Sequence, residues 1–380
     1  MSSPFFSIVL PTKNRGELLS RSIQSVLSQD FTDYELIVVD NDDFDVHSTE
    51  RIVSKYQDDH IKYFRTGNLS MSDNWSYGYV QAKGQHICLL RDKNVFLDGS
   101  LSRLHQLLSK NEYDIVSWNW VELMDETNSA PDGSGKVRCI PSKTMINMFL
   151  GMKHSDYSYF RMHLPKGSNS CISRKLYEKI VSQSGSICLE NAPDYTQGYQ
   201  ILLNTDNIYV VDLNVTGRYN RDTKYGTGAQ HDLGFVSQAM DNMGSKSTDI
   251  SSIKYQPLKI TNTETVVFED FFRVAELYGG HYSFKDVNIR NYFKTIFRNT
   301  LGRQSYIYPE NQEYFKNLKK TIRDLMRQTY STGLKRDLFV CFLLDVFYYR
   351  FHRCGISTFR FMEKHFPSFA AFMWLVGERL

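Results

Sequence analysis

Between Phe6 and Asp43 the chain reads FSIVLPTKNRGELLSRSIQSVLSQDFTDYELIVVDNDD, two strand-length apolar runs joined by one stretch of helical spacing. Phe6 to Leu10, closed by Pro11, reads as a fully buried parallel strand rather than a half-exposed one. Thr12 to Gly16 forms a turn. From Glu17 to Gln29 the apolar positions Leu18, Leu19, Ile23, Val26 and Leu27 fall on one helical face, which packs on the sheet. Leu36 to Val39 is the second buried strand. Asp40 and Asp42 then stand just past its carboxyl end, where open α/β sheets take their ligands. Such a unit is expected to hold a nucleotide.

The alternation continues. Ser48–Tyr56 reads as helix, Ile61–Phe64 as strand, Ser70–Ala82 as a helix stopped by Gly84, His86–Leu90 as strand, Ser100–Leu108 as helix and Asp114–Trp118 as extended chain. Repeated βα units predict an α/β fold with a doubly wound, mostly parallel sheet. Val121–Asn169 is less regular, with a loop signal in NSAPDGSGK and a short helix over Lys143–Met152. Order resumes at Cys171–Lys179, followed by a helix start at Asp194 and a strand in NIYVVDL. Past about Ser245 the pattern changes to helical stretches rich in Phe and Tyr: Thr265–Leu277, Ile289–Phe297, Glu313–Thr329 and Leu334–Phe351. The expected organisation is an α/β domain over residues 1–255 and a helical region over 256–380.

A chain of 380 residues, 41% hydrophobic and 23% charged, has ordinary globular composition. Its net charge of +3 is too small for a phosphate-tracking surface, so nucleic acid is not an expected partner. The six cysteines show neither CxxC spacing nor a regular framework, and are expected as reduced, small core residues. No apolar run is long enough to cross a bilayer and no basic stretch precedes the first one, so the expected location is cytoplasmic.

Four segments in order, SIVLPTKNR, VVDNDD, NLSMSDNWSYGYVQAKGQHICLL and LENAPDYTQG, resemble the inverting GT-A glycosyltransferases of family 2. The resemblance implies a GT-A-like, Rossmann-like sheet. It also implies a hexosyltransferase-type enzyme that moves a sugar, with inversion, from a nucleotide-sugar donor to a glycan or lipid-linked acceptor. A UDP-sugar is the first expectation, and assembly of a bacterial surface polysaccharide such as O-antigen or capsule the expected setting. By the same resemblance Thr12, Asn14 and Arg15 contact the nucleotide, Asp40 and Asp42 hold its base and ribose, and Asn74 joins them from the helix before the fourth strand. The chemistry agrees, since a carboxylate at a strand end accepts paired hydrogen bonds from ribose hydroxyls or a base imide. The alternative is that Asp40 and Asp42 cap the next turn. Trp75, Tyr77 and Tyr79 read as packing residues rather than sugar platforms.

After the fourth strand that family carries a short acidic cluster holding Mn²⁺ or Mg²⁺ against the diphosphate; this chain has Arg91, Asp92, Lys93 and Asn94 there. Only Asp92 keeps a carboxylate, and a lysine at the neighbouring ligand position repels a cation. Three outcomes stay open: Lys93, helped by Arg91, replaces the ion in a metal-independent transferase; Asp92 alone keeps a weakly held ion; or activity is lost, leaving a nucleotide-sugar or glycan-binding protein. A nucleotidyltransferase is a further alternative, but it needs a Gly-rich phosphate loop after strand one, and that turn has Gly16 alone.

Inverting transfer also needs a general base. The resemblance assigns it to an acidic motif at a helix start, which makes Asp194 the candidate and Glu190 the reserve; a plain N-cap role for Asp194 is the competing reading. Further on, the polar stretch TGRYNRDTKYGTGAQHDLG carries Arg218, Arg221, Lys224 and His231, suited to closing over a diphosphate or else simply a solvated loop. In the last helices aromatic and basic residues interleave, among them Phe339, Phe342, Arg350, Phe351, Arg353, Phe366 and Trp374. The plainer expectation is a bundle that covers the α/β domain or forms a homo-oligomer. The other is an amphipathic surface in peripheral contact with the inner face of a membrane.

Overall fold

A computed structural model describes residues 3–43, 45–123, 133–219, 254–255, 263–289, 291–292 and 295. The leading unit folds as its pattern demands: β1 (Phe6–Thr12), α1 (Gly16–Leu27), β2 (Tyr34–Asp40). Every residue of both strands is buried. Side chains of a strand alternate between faces, so burial throughout requires both faces to be covered. Ile8, Leu10, Leu36 and Val38 pack with Leu19, Ile23 and Val26 of α1, whereas Val9, Ile37 and Val39 enter the core on the other side. Each such side chain, fully buried, contributes about 1.5–3 kcal/mol.

The chain continues through α2 (Ser48–Val53), β3 (Ile61–Arg65), α3 (Met71–Gln81), β4 (His86–Leu89), β5 (Asn94–Phe96) and α4 (Ser100–Leu108). Next come β6 (Ile115–Leu123), β7 (Val137–Pro141), α5 (Ser142–Gly151), α6 (His154–His163), β8 (Ser170–Ser173), α7 (Arg174–Ser184), α8 (Pro193–Asn204), β9 (Asn207–Tyr219) and α9 (Thr263–Leu277). Among the described residues the strands form one sheet in the order β3-β2-β1-β4-β8-β6-β9-β5, with β7 beside β5 on the outer edge of β9. Strands β1 to β4, β6 and β9 run one way and β8, β5 and β7 the other. This is the mostly parallel, GT-A-like sheet expected, with helices on both faces.

Helix α3 lies unusually close to the sheet. A Cβ on Gly78 would stand 2.4 Å from Val9 Cγ1 and 2.9 Å from Val39 Cγ2, so no other residue fits there without movement. Trp75 and Tyr79, on the same helix, are buried in that core and serve as packing residues. Of the cysteines, Cys88, Cys171 and Cys188 are buried as expected, but Cys139, on the edge strand β7, is exposed. Cys341 and Cys354 lie outside the described residues.

Three elements were not foreseen. β5 and β7 are three and five residues long and exist through pairing with β9, which a local pattern does not display. Helix α6 falls in a segment expected to be irregular. β9 also runs past NIYVVDL to Tyr219, so Thr216, Gly217 and Arg218 are strand rather than loop, held by β6 on one edge and β5 on the other. Arg221, Lys224, His231 and the helices expected after Phe297 lie outside the described residues. The expected boundary near residue 255 falls ahead of α9, which packs on α5 and α8: Phe268 stacks on Phe149 of α5 at 4.3 Å, Phe271 meets Tyr199 of α8 at 5.3 Å, and Tyr199 donates its hydroxyl to the Val267 carbonyl at 3.0 Å. No helix among the described residues is long and apolar enough to cross a membrane.

Candidate active site

The carboxyl ends of β1 and β2 form the first wall of the site. Asp40 and Asp42 are both fully buried. The Asp40 carboxylate accepts the Asp42 N–H at 2.8 Å and the Tyr63 hydroxyl at 2.6 Å, with Arg65 at 3.6 Å. Burial pushes its carboxyl above the usual carboxylate range, and those hydrogen bonds hold it back. Asp42 accepts the Asn14 N–H at 2.5 Å and the Thr49 N–H at 3.1 Å. That tie fixes Asn14 in a left-handed conformation, φ 56°, which asparagine tolerates. Lys13 and Asn14 also bond Asp43, the ion pair from Lys13 being 2.7 Å long. In this geometry the acids after β2 lock the loop after β1 in place.

Sequence reasoning passed over Asn41, between the two. Its side chain donates to the Leu69 carbonyl at 2.8 Å and accepts the Leu69 N–H at 2.7 Å, clamping the loop that leads into α3. Asn74 is buried and accepts the Thr66 hydroxyl at 2.7 Å, the tertiary bond that an asparagine inside a helix suggests.

The second wall is the turn RDKN between β4 and β5. The Asn94 N–H bonds the Arg91 carbonyl at 2.8 Å, so Asp92 and Lys93 occupy the corners of a tight turn. Ser22 of α1 anchors it through the Asn94 carbonyl at 2.7 Å. Asp92 is buried and accepts the Thr12 hydroxyl at 3.1 Å and Arg15 at 2.9 Å, joining the predicted residues of the first loop to the predicted residues of the turn. The β5–β9 register pairs Asn94 with Arg218, which sets that arginine beside Lys93. Arg218 also pairs with Glu122 and lies over the ring of the exposed Trp120 at 4.7 Å.

Here charge is out of balance. Arg15, Arg91, Lys93 and Arg218 stand against Asp92, Asp194 and Glu122. Burial, reinforced by Arg91, Arg15 and Arg218, brings the Lys93 ammonium down to about 8. Burial also lowers Arg91, with Asp194 as the principal opposing influence. The Arg91 Nε and the Asn94 Oδ1 are covered and have no hydrogen-bond partner among the described residues. A divalent cation does not suit this turn: its one carboxylate is already shared by Thr12 and Arg15, and four cations surround it. The described residues contain no group of three His, Cys, Asp or Glu side chains fit for a metal.

The third wall is the start of α8. Pro193 occupies the first turn, as its missing N–H permits, and Asp194 follows it, so the residue at the cap is Ala192 and Asp194 is not the N-cap. Asp194 is partly buried and accepts the Tyr195 N–H at 3.0 Å. Its carboxylate is the principal counter-charge to Arg91, which brings the candidate base to the candidate diphosphate turn. Glu190 is exposed on the approach to the helix.

With this geometry in view, the family model for Glycosyl transferase family 2 matches residues 7–181, from β1 through most of α7. This segment is a family 2 glycosyltransferase domain. The chain is 35% identical over 167 residues to a GalNAc(5)-diNAcBac-PP-undecaprenol beta-1,3-glucosyltransferase of Campylobacter jejuni, covering 42% of this chain and 53% of that protein. It is 31% identical over 117 residues to the poly(ribitol-phosphate) beta-N-acetylglucosaminyltransferase TarP of Staphylococcus aureus, covering 29% and 35%. It thus spans about half or less of the length of these relatives. Among solved structures, S. aureus TarS 1-349 in complex with UDP-GlcNAc superposes with a TM-score of 0.49 at 14% identity over 92% of each chain. The matched segment holds the loops of the first wall and the RDKN turn of the second; Arg218 of β9 and the third wall, α8, lie beyond it.

Proposed function

We propose that the protein transfers a sugar, with inversion, from a nucleotide-sugar donor to a glycan or lipid-linked acceptor, using Asp194 as general base and Arg15, Arg91, Lys93 and Arg218 in place of a metal ion. One observation carries this reading: Asp194 and the cation-rich RDKN turn belong to one electrostatic cluster at the carboxyl edge of the sheet. The loops after β1 and β2 form the crevice for the nucleoside, with Asp40 and Asp42 acting through the shape they impose. A UDP-sugar is the first donor to test.

In the reaction the acceptor hydroxyl attacks the anomeric carbon from the face opposite the diphosphate, and its proton passes to the Asp194 carboxylate. As the new C–O bond forms, the old one breaks and its electron pair leaves with the diphosphate. A cation about 4 Å from that growing charge is worth ~4 kcal/mol at an effective dielectric near 20, enough to matter in a barrier. The relatives from C. jejuni and S. aureus are named for β-linked products. Forming such linkages from α-linked nucleotide donors is inversion, and the first of those names specifies a lipid-linked acceptor.

The test is release of nucleoside diphosphate from a panel of sugar nucleotides, with and without chelator. Release that chelator leaves undiminished, and that Asp194→Asn abolishes, supports the proposal. Release only with added Mn²⁺ or Mg²⁺ refutes the metal-free form, and no release from any donor favours a binding protein.

A further inference from the structure

The turn that carries Asp194 into the site is held from outside its own helix. Ala192, at the cap of α8, has no side chain to bond the first turn. Asp270, near the middle of α9 and fully buried, does it instead: one carboxylate oxygen accepts the Asn191 side-chain amide at 2.7 Å and the other the Ala192 N–H at 3.0 Å. The Ala192 carbonyl in turn accepts the Tyr195 and Thr196 N–H groups at 2.9 and 2.8 Å, so this one residue is pinned through the peptide groups on both sides of it. Asn191 adopts a left-handed backbone, φ 78°, that aims its amide at α9. A fully buried carboxylate costs stability unless its oxygens are bonded, and packing alone would be served better by an apolar residue. Its use is therefore to be sought in what it holds.

We infer that Asp270 is a positioning residue for transfer: from α9 it fixes the Asn191–Ala192 turn, and so sets where the Asp194 carboxylate stands against the cation cluster. This rests on the reading of Asp194 as general base. It gives α9, which lies beyond the segment matched by the family model, a part in the chemistry through Asp194.

The charged and titratable groups facing Asp270 are Glu269 and Arg273 on α9, Arg273 at 4.0 Å, and Tyr199 on α8. Burial pushes the Asp270 carboxyl up to about 7, held back by Asn191, Arg273 and the Ala192 N–H. Two opposite pH trends follow. Because the folded-state value lies above the unfolded one, the stability linked to Asp270 is fully present below about pH 4 and is lost as pH rises through about 7. Turnover moves the other way, since protonation below about 7 removes an acceptor from the turn and loosens Asp194.

The experiment compares full-length wild type, Asp270→Asn, Asn191→Gly and Asp194→Asn, using the sugar nucleotide that wild type turns over and hydrogen exchange on the same proteins. Asp270→Asn is expected to speed exchange at the Ala192, Tyr195 and Thr196 amides and to lower kcat ~10- to 100-fold with donor KM unchanged. It should also remove the wild-type acid limb near pH 7 without loss of thermal stability at pH 8. Asn191→Gly, which keeps the left-handed backbone but deletes the amide, gives a smaller loss of the same kind. Faster exchange at those amides with kcat unaltered overturns the inference, as does a loss of kcat no larger than the loss of folded protein. Asp194→Asn separates the two claims. Turnover retained there removes the base assignment; turnover lost there but kept in Asp270→Asn removes the positioning role alone.

Discussion

Two stretches at the same edge of the sheet carry acids or bases in similar number, and they do different work. After β2, Asp40, Asp42 and Asp43 each meet donors from the chain itself, so their hydrogen bonding closes without a ligand. At the β4–β5 turn, Arg91 and Lys93 are gathered with Arg15 and Arg218 into a place where burial lowers the pKa of Lys93 and of Arg91, and two covered polar atoms have no hydrogen-bond partner among the described residues. A polar group whose bonds are complete is architecture. Like charges held together and partly desolvated are unstable unless something of opposite sign binds there. By that measure the diphosphate end of the site is more plainly built for a ligand than the nucleoside end.

Substitutions test this contrast. The largest expected effect is at the base: Asp194→Asn lowers turnover ~10²- to 10⁴-fold while nucleoside diphosphate affinity, read by calorimetry, stays near wild type. Next, Asp42→Ala removes the acceptor of two buried N–H groups and costs about 3 kcal/mol of stability by denaturant titration, the loss expected of structure rather than of a binding contact. Lys93→Ala should do the reverse, weakening nucleoside diphosphate binding ~10-fold through loss of one close charge while leaving the melting temperature unchanged or higher. Smallest is Asn74→Ala, which removes one of the acceptors of the Thr66 hydroxyl and leaves it the Asp40 carbonyl at 3.0 Å, costs about 1 kcal/mol and leaves turnover alone. If Asp42→Ala instead spares stability and abolishes binding, the two ends of the site have been given each other's roles.

What the chain discloses by local pattern follows the same division. The β1–α1–β2 unit, α3, α4 and the start of α8 were legible because helical and strand periodicities are short-range, and full burial of β1 and β2 follows from their unbroken apolar runs. The RDKN turn was legible as a departure from an acidic motif. Pairing is a long-range property, so β5 and β7 were hidden, and so was the extension of β9 that turns Arg218 from a loop residue into a neighbour of Lys93. Burial of Asp40 and Asp42 was hidden for a related reason. Their partners Tyr63, Asn14 and Thr49 lie on other elements, and nothing in VVDNDD shows whether its carboxylates face a crevice or a backbone. Asp270, 78 residues beyond the peptide it holds, lay farther still from local reading.

The central claim, that the cations around the RDKN turn hold the diphosphate unaided, is tested most directly by titrating UDP, GDP and their nucleosides into the full-length protein by calorimetry in EDTA and again in Mn²⁺. At least one nucleoside diphosphate is expected to bind at least ~10-fold tighter than its nucleoside in EDTA, a gain that Mn²⁺ does not enlarge and Lys93→Ala removes. Diphosphates that bind no better than nucleosides until Mn²⁺ is added would contradict it.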